Sequence, residues 1–226
     1  MQLGTDDLFH KRKAKKVNDL NRKQAAKRTY EKILIVCEGS KTEPNYFAEA
    51  IDHYELHTAN VSISGKCGSA PISVFDHGLA LYNQEKKDLP KAPFDRVFFV
   101  FDRDQHETYD EAMRKIRALK QKDTFFAITS VPSFEFWLLL HFERTTRPFI
   151  ATGRLSSGAA VLKALEVHMP DYVKGRHGTF KHLKTRLDGA KTNADLVNAH
   201  AKKNQTDNPT TLVHELIDFM ENMKPG

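Results

Sequence analysis

Two short runs, residues 33–37 and 97–101, are apolar at every position and consist largely of β-branched or aromatic residues. A strand with one wet face alternates apolar and polar side chains, whereas a strand apolar throughout must be covered on both faces. Such strands belong to a parallel sheet, and a parallel sheet needs helices to connect and cover it. The intervening sequence supplies them. Thr42 is placed to cap a helix that accepts Pro44 in its first turn and carries Tyr46, Phe47, Ala50, Ile51 and Tyr54 as apolar positions. Residues 60–64 read as a short strand, residues 65–68 as a loop, and Pro71 opens a second helix with Ile72, Phe75, Leu79 and Tyr82 on one side. Beyond the second apolar run, residues 108–122 are amphipathic through Ala112, Ile116 and Leu119, and residues 124–129 read as a fourth strand. This alternation predicts an α/β fold, a Rossmann-like and mainly parallel sheet with helices on both faces.

The pattern changes at Ser133. Phe134, Phe136, Trp137, Leu138 and Leu140 crowd into a helix that is apolar on most sides and has to be buried. No strand is predicted after it. Residues 145–158 form a loop, and helices are expected near residues 159–167, 180–187, 190–200 and 211–223. The expected organisation is a basic flexible arm (1–31), a core (32–142) and a helical C-terminal part (143–226).

Charge sets the arm apart. Residues 1–32 hold ten Lys/Arg against four Asp/Glu while the rest of the chain is balanced at 25 of each, so the whole net charge of +6 resides there. A run such as Lys11-Arg12-Lys13-Ala14-Lys15-Lys16 has little to bury and gains by releasing counterions from phosphates, which points to nucleic acid as a partner. The longest apolar runs have five residues, far below the roughly 18–20 that span a bilayer. No apolar h-region follows the basic start, so a secretory signal is not expected either. The two cysteines, Cys37 and Cys67, exclude a disulfide framework and a four-cysteine zinc site, and they suit a reducing cytoplasm.

Ligands of a parallel α/β sheet bind beyond the carboxyl ends of its strands. Acids stand at both such places: Glu38 directly follows the first apolar run, and Asp102 and Asp104 follow the second. Three carboxylates meeting there repel one another unless cations neutralise them, and an all-oxygen donor set favours Mg²⁺ or Mn²⁺ over Zn²⁺. The residues alone also allow Glu38 to cap the next helix and the aspartates merely to end a strand.

The stretch Ile33-Leu34-Ile35-Val36-Cys37-Glu38-Gly39-Ser40-Lys41-Thr42-Glu43-Pro44-Asn45-Tyr46-Phe47 closely resembles the opening of RloB-like proteins, a prokaryotic family with a Toprim core. Val100-Phe101-Asp102-Arg103-Asp104, the segment from Pro132 through Glu135 to Phe142, and Asn208-Pro209-Thr210-Thr211 agree with it. The resemblance implies a Toprim-like fold and a Mg²⁺-dependent (or Mn²⁺-dependent) nuclease acting on RNA or DNA. It makes Glu38, Asp102 and Asp104 the metal-site acids, with Glu38 either a ligand or a general base. Glu135 is then a further ligand or orienting group, unless the acid merely favours a helix start. Lys41 would neutralise a phosphate oxygen, or is simply a solvated loop lysine. The resemblance further implies an effector in prokaryotic anti-phage defence or a restriction-linked system, with an ATPase partner. The second reading is a binding or ATPase-partner module whose Toprim fold is structural.

Other patterns are weaker. Gly39-Ser40-Lys41-Thr42 lacks the spacing of a P-loop, and the partner motifs of a haloacid-dehalogenase-type phosphatase are absent around Asp102. His168, His177 and His182, with Cys67, lack zinc-ligand spacing. Residues 174–186 are a second basic concentration suited to phosphate contacts. Phe180 within them is assigned to a helix core in preference to base stacking.

Overall fold

The computed structural model describes residues 31–58, 61–65, 68, 70–88, 93–104, 106–121 and 123–223; the basic arm before Glu31, and Cys67, lie outside the described residues. β1 (Ile33–Cys37) is buried at all five positions and pairs in parallel with β2 (Val61–Ser64) on one side and β3 (Arg96–Asp102) on the other. β4 (Phe125–Val131) continues the sheet in parallel beside β3, with Val97 opposite Phe125 and Asp102 opposite Ser130.

Strand alternation divides the interior in two. Ile33, Ile35, Cys37, Phe98 and Val100 face a core shared with α1 (Thr42–His53) and the C-terminal helices. Leu34, Val36, Val97, Phe99 and Phe101 face the core under α2 (Pro71–Lys87) and α3 (Tyr109–Ala118). Both faces of β1 and β3 are therefore dry, as uninterrupted apolar strands require. Burying each large apolar side chain contributes roughly 1.5–3 kcal/mol before chain entropy is counted.

β4 leads through Pro132 into α4 (Glu135–Leu139), whose five residues are all buried, as the apolar crowding predicted. α5 (Ser157–His168) is capped by the Ser156 hydroxyl, which accepts from the Ala159 N–H at 3.1 Å. α6 (Thr179–Leu183) passes through a 3-10 turn (Lys184–Arg186) into α7 (Leu187–Lys203), and α8 (Val213–Asn222) closes the described chain.

Three local expectations are corrected. Thr42 is the first helical residue of α1 rather than its cap; Lys41 takes the capping position, without a side-chain hydrogen bond. The helices expected at 180–187 and 190–200 are divided differently, because α7 runs unbroken through Gly189, which nothing crowds. A fifth strand, β5 (Thr210–Thr211), pairs antiparallel with Ser130 and Val131. Two residues carry no periodicity. The pair is held by long-range partners: Asn198 bonds both backbone groups of Thr211, and the Ser130 and Thr211 hydroxyls lie 3.0 Å apart.

The sheet order is β2-β1-β3-β4-β5. The chain leaves β1 toward β2 at one edge and returns to β3 on the opposite side of β1. The crevice beyond the carboxyl ends of β1 and β3 is thus the switch point of the sheet, where loops part and leave room for a ligand.

Candidate active site

Glu38 stands at that crevice because β1 ends one residue before it. Its N–H still donates to the Val100 carbonyl of β3 at 3.0 Å, so the backbone there is fixed. One carboxylate oxygen accepts from the Asp102 N–H at 2.9 Å and the other lies 3.1 Å from His106 Nε2. Asp102 closes β3. Two residues on, Asp104 adopts a left-handed conformation with φ 28°, which aspartate tolerates better than most residues. Its N–H donates to the Pro132 carbonyl at 2.9 Å, and its carboxylate accepts from the Ser157 hydroxyl at 2.8 Å. The first turn of α5 supports that negative charge.

Glu135 opens α4 and is 2% exposed. One carboxylate oxygen accepts from Ser133 Oγ at 2.8 Å; the other is 2.9 Å from Lys174 Nζ and 3.4 Å from the Tyr172 hydroxyl. A fifth acid, Glu43, lies buried in the first turn of α1. It reaches inward only because Gly39 has no side chain, since a Cβ there would come within 2.3 Å of its carboxylate.

The acids act on one another. Burial pushes the Glu43 carboxyl up to about 7, helped by Glu135 and Glu38 and opposed by its own backbone N–H and by Lys174. Burial, then Glu43, Glu135 and Glu38, hold Asp102 well above the usual carboxylate range against a backbone bond from Phe134. Glu38 is raised mainly by burial and also by Asp104, while the Asp102 N–H and His106 oppose the rise. Burial works against the Lys174 charge, yet Glu135, Asp102 and Glu43 together lift its pKa above the ordinary lysine value. Like-charged groups packed this closely are destabilising unless something positive joins them.

Among the acids predicted from sequence, Asp104 acts electrostatically on Glu38, and Glu38 and Glu135 act on Asp102. Lys41 stands apart. It is exposed, its stem lies against Gly175, and it forms no ion pair among the described residues. The cation that reaches the acids is Lys174, from the second basic concentration. Glu43, Tyr172, His106, Ser133 and Ser157 join the site without a motif in the sequence that marks them for it. The one local signal for Glu43 was an acid in the first turn of a helix that directly follows Glu38. Arg103 pairs with Asp207 and covers the Tyr109 ring at 5.4 Å. Phe180 is fully buried against Tyr46, in keeping with the core assignment.

Among the described residues, no three or more His, Cys, Asp or Glu side chains are placed together so as to hold a metal ion. The donor chemistry nonetheless fits a hard dication: the acids offer only oxygen, and burial, with neighbouring carboxylates behind it, raises three of them. No helix among the described residues is long and apolar enough to cross a membrane. A family model described as RloB-like protein matches residues 33–220. Neither curated proteins nor solved structures give a match.

Proposed function

This chain belongs to the RloB-like family, and we propose that its acidic crevice is the centre of a Toprim-type, metal-dependent nuclease that hydrolyses phosphodiester bonds of RNA or DNA. The observation that carries this reading is the electrostatic influence that Glu38, Glu43, Asp102, Asp104 and Glu135 exert among themselves near the switch point, where burial and neighbouring carboxylates raise three of them. A Mg²⁺ or Mn²⁺ ion held there would supply Lewis-acid polarisation of the phosphoryl group. Asp102, Asp104, Glu135 and Glu43 are the residues to hold it. Glu38, gripped by the Asp102 N–H and His106, has the orientation to accept a proton and also the oxygen to ligate. Lys174 offers an ammonium group beside Glu135 for a phosphate oxygen as negative charge develops. Ser133 and Ser157 fix the rotamers of Glu135 and Asp104. The family resemblance supports a place in anti-phage defence or a restriction-linked system, in the cytoplasm, with an ATPase partner.

The test is cleavage of a mixed pool of tRNA, single-stranded RNA, plasmid and single-stranded DNA with Mg²⁺ or Mn²⁺. Wild type should give products that EDTA abolishes and that the Asp102→Asn/Asp104→Asn variant does not make. Products unchanged in the variant would refute the catalytic assignment. No metal-dependent product, with or without a candidate ATPase, would favour a binding module.

A further inference from the structure

We propose that the cleft behind Tyr172 binds one unpaired nucleotide of a single-stranded nucleic acid, beside the bond that the acidic cluster cuts; this rests on the nuclease reading above. The cleft has a volume of about 440 Å³ and runs from His168 at the end of α5 along the connecting segment to His182 in α6. Sites of roughly 300–1,000 Å³ take small organic ligands, and a single nucleotide belongs to that size class.

Position is the first argument. Tyr172 lines the cleft while its hydroxyl lies 3.4 Å from Glu135, so one residue separates cleft from cluster. Lys174, two residues on, reaches the same carboxylate at 2.9 Å. A strand whose scissile phosphate lies over the acids therefore has its neighbouring nucleotide at the cleft.

Chemistry is the second. Arg176, His177 and His182 offer donors to a phosphate, and Tyr172 with the His177 and His182 imidazoles offers ring faces to a base. Asp171 is the single acid among the lining residues, and its carbonyl receives Arg176 at 3.4 Å. Lys181, Lys184 and Arg186 extend the positive surface beyond the cleft for flanking phosphates.

The third argument is preorganisation. Asn45 Nδ2 donates to the Gly175 carbonyl at 2.7 Å. Glu49, only 6% exposed, accepts from the N–H of Gly178 and, at 3.2 Å, from that of Lys181. Gly175 lies so close to Lys41 that a Cβ there would come within 2.7 Å of the lysine Cβ. A surface segment pinned in this way presents a formed site and loses little freedom on binding. A base paired within a duplex keeps its faces and edge in the stack; only an unpaired base can turn into a pit.

The test measures binding to full-length Asp102→Asn protein without divalent metal, by fluorescence anisotropy of a short single-stranded oligonucleotide and of the same sequence as a duplex. Arg176→Ala with His182→Ala should weaken single-strand binding by at least about tenfold, the scale of one lost stacked base. Val173→Trp, which places bulk in the cleft from an exposed position, should do the same; duplex binding should change less. An unchanged single-strand Kd in both variants, or equal losses on duplex, would overturn the proposal. Polyglutamate competing as well as unlabelled oligonucleotide would reassign the cleft to acidic peptides. Hydrolysis of bis(p-nitrophenyl) phosphate by wild type with Mn²⁺ judges the nuclease centre separately, since that diester needs no nucleotide cleft; its failure would count against the cluster and leave the cleft to the binding result.

Discussion

Asp102 shows how a single buried acid can work against the fold that holds it. Burial and three neighbouring carboxylates hold its pKa well above the usual range, so at neutral pH its ionisation opposes folding. Asp102→Asn removes that charge and keeps the shape. In the absence of divalent metal the variant should therefore melt higher than wild type by a few degrees, given that about 1 kcal/mol shifts Tm by roughly 2–4 °C in a chain of this size. Mn²⁺ should raise the Tm of wild type, because a ligand that binds the folded state stabilises it. It should raise that of the variant much less. Thermal scans of both proteins with and without Mn²⁺ check this; a lower metal-free Tm for the variant together with an undiminished Mn²⁺ response would show that Asp102 is neither strained nor a ligand.

At the scale of elements, the turn after β1 depends on a close approach by the end of β2. A Cβ on Gly65 would lie 2.4 Å from the Gly39 carbonyl oxygen and 2.8 Å from Pro44 Cγ. Neither group can swing away. Gly65→Ala should displace the turn that carries Glu38 and destabilise the fold by about 1–3 kcal/mol. Gly189→Ala, in α7 with nothing within 4 Å, should instead stabilise by up to about 1 kcal/mol through helix propensity. Urea denaturation of the two variants gives opposite signs if this is right, and matching signs refute it. The contrast also marks what the sequence made legible. β1, β3, the buried α4 and the acids closing the strands follow from local patterning, because an apolar run and the acid ending it are neighbours in sequence. Glu43 was visible as a helix-start acid, but not its inward direction, which depends on the missing side chain of Gly39. Lys174 and Tyr172 reach Glu135 from 39 and 37 residues away in sequence, and no periodicity encodes such a meeting. β5 escaped for the same reason, since its partners are Ser130, Val131 and Asn198.

For the whole molecule, the larger core couples the sheet to the C-terminal helices, and His141 sits at the junction. Its Nδ1 lies 3.1 Å from the Trp137 carbonyl and its ring meets the Trp137 ring edge-on at 4.7 Å. Trp137 in turn donates to the Tyr46 hydroxyl of α1 at 2.8 Å, while Asn193 of α7 donates to the Leu140 carbonyl at 2.8 Å. His141 Nε2 has no partner among the described residues. Burial drives the His141 pKa down to about 4 from the ordinary 6.5, against the bonds with Trp137 and Leu138 and with a small further push from Arg186. Between those values the unfolded chain takes up a proton that the folded chain refuses. Stability from this group is thus complete above about pH 6.5 and lost as pH falls toward 4, by about 2 kcal/mol at pH 4.5. Glu43 works the other way: its carboxyl is raised to about 7 from 4.5, so it stabilises at low pH and loses that contribution as pH rises through 7. The two effects oppose each other in wild type, and its overall pH profile cannot isolate either. Comparison with His141→Phe can, because an apolar ring keeps the contact with Trp137 and removes the titration. Urea midpoints of metal-free wild type and variant should converge or cross as pH is lowered from 7 to 4.5, the wild type losing about 2 kcal/mol relative to the variant. Parallel curves over that range would mean that His141 is protonated in the folded core, and that the junction between sheet and helices is wetter than its burial implies.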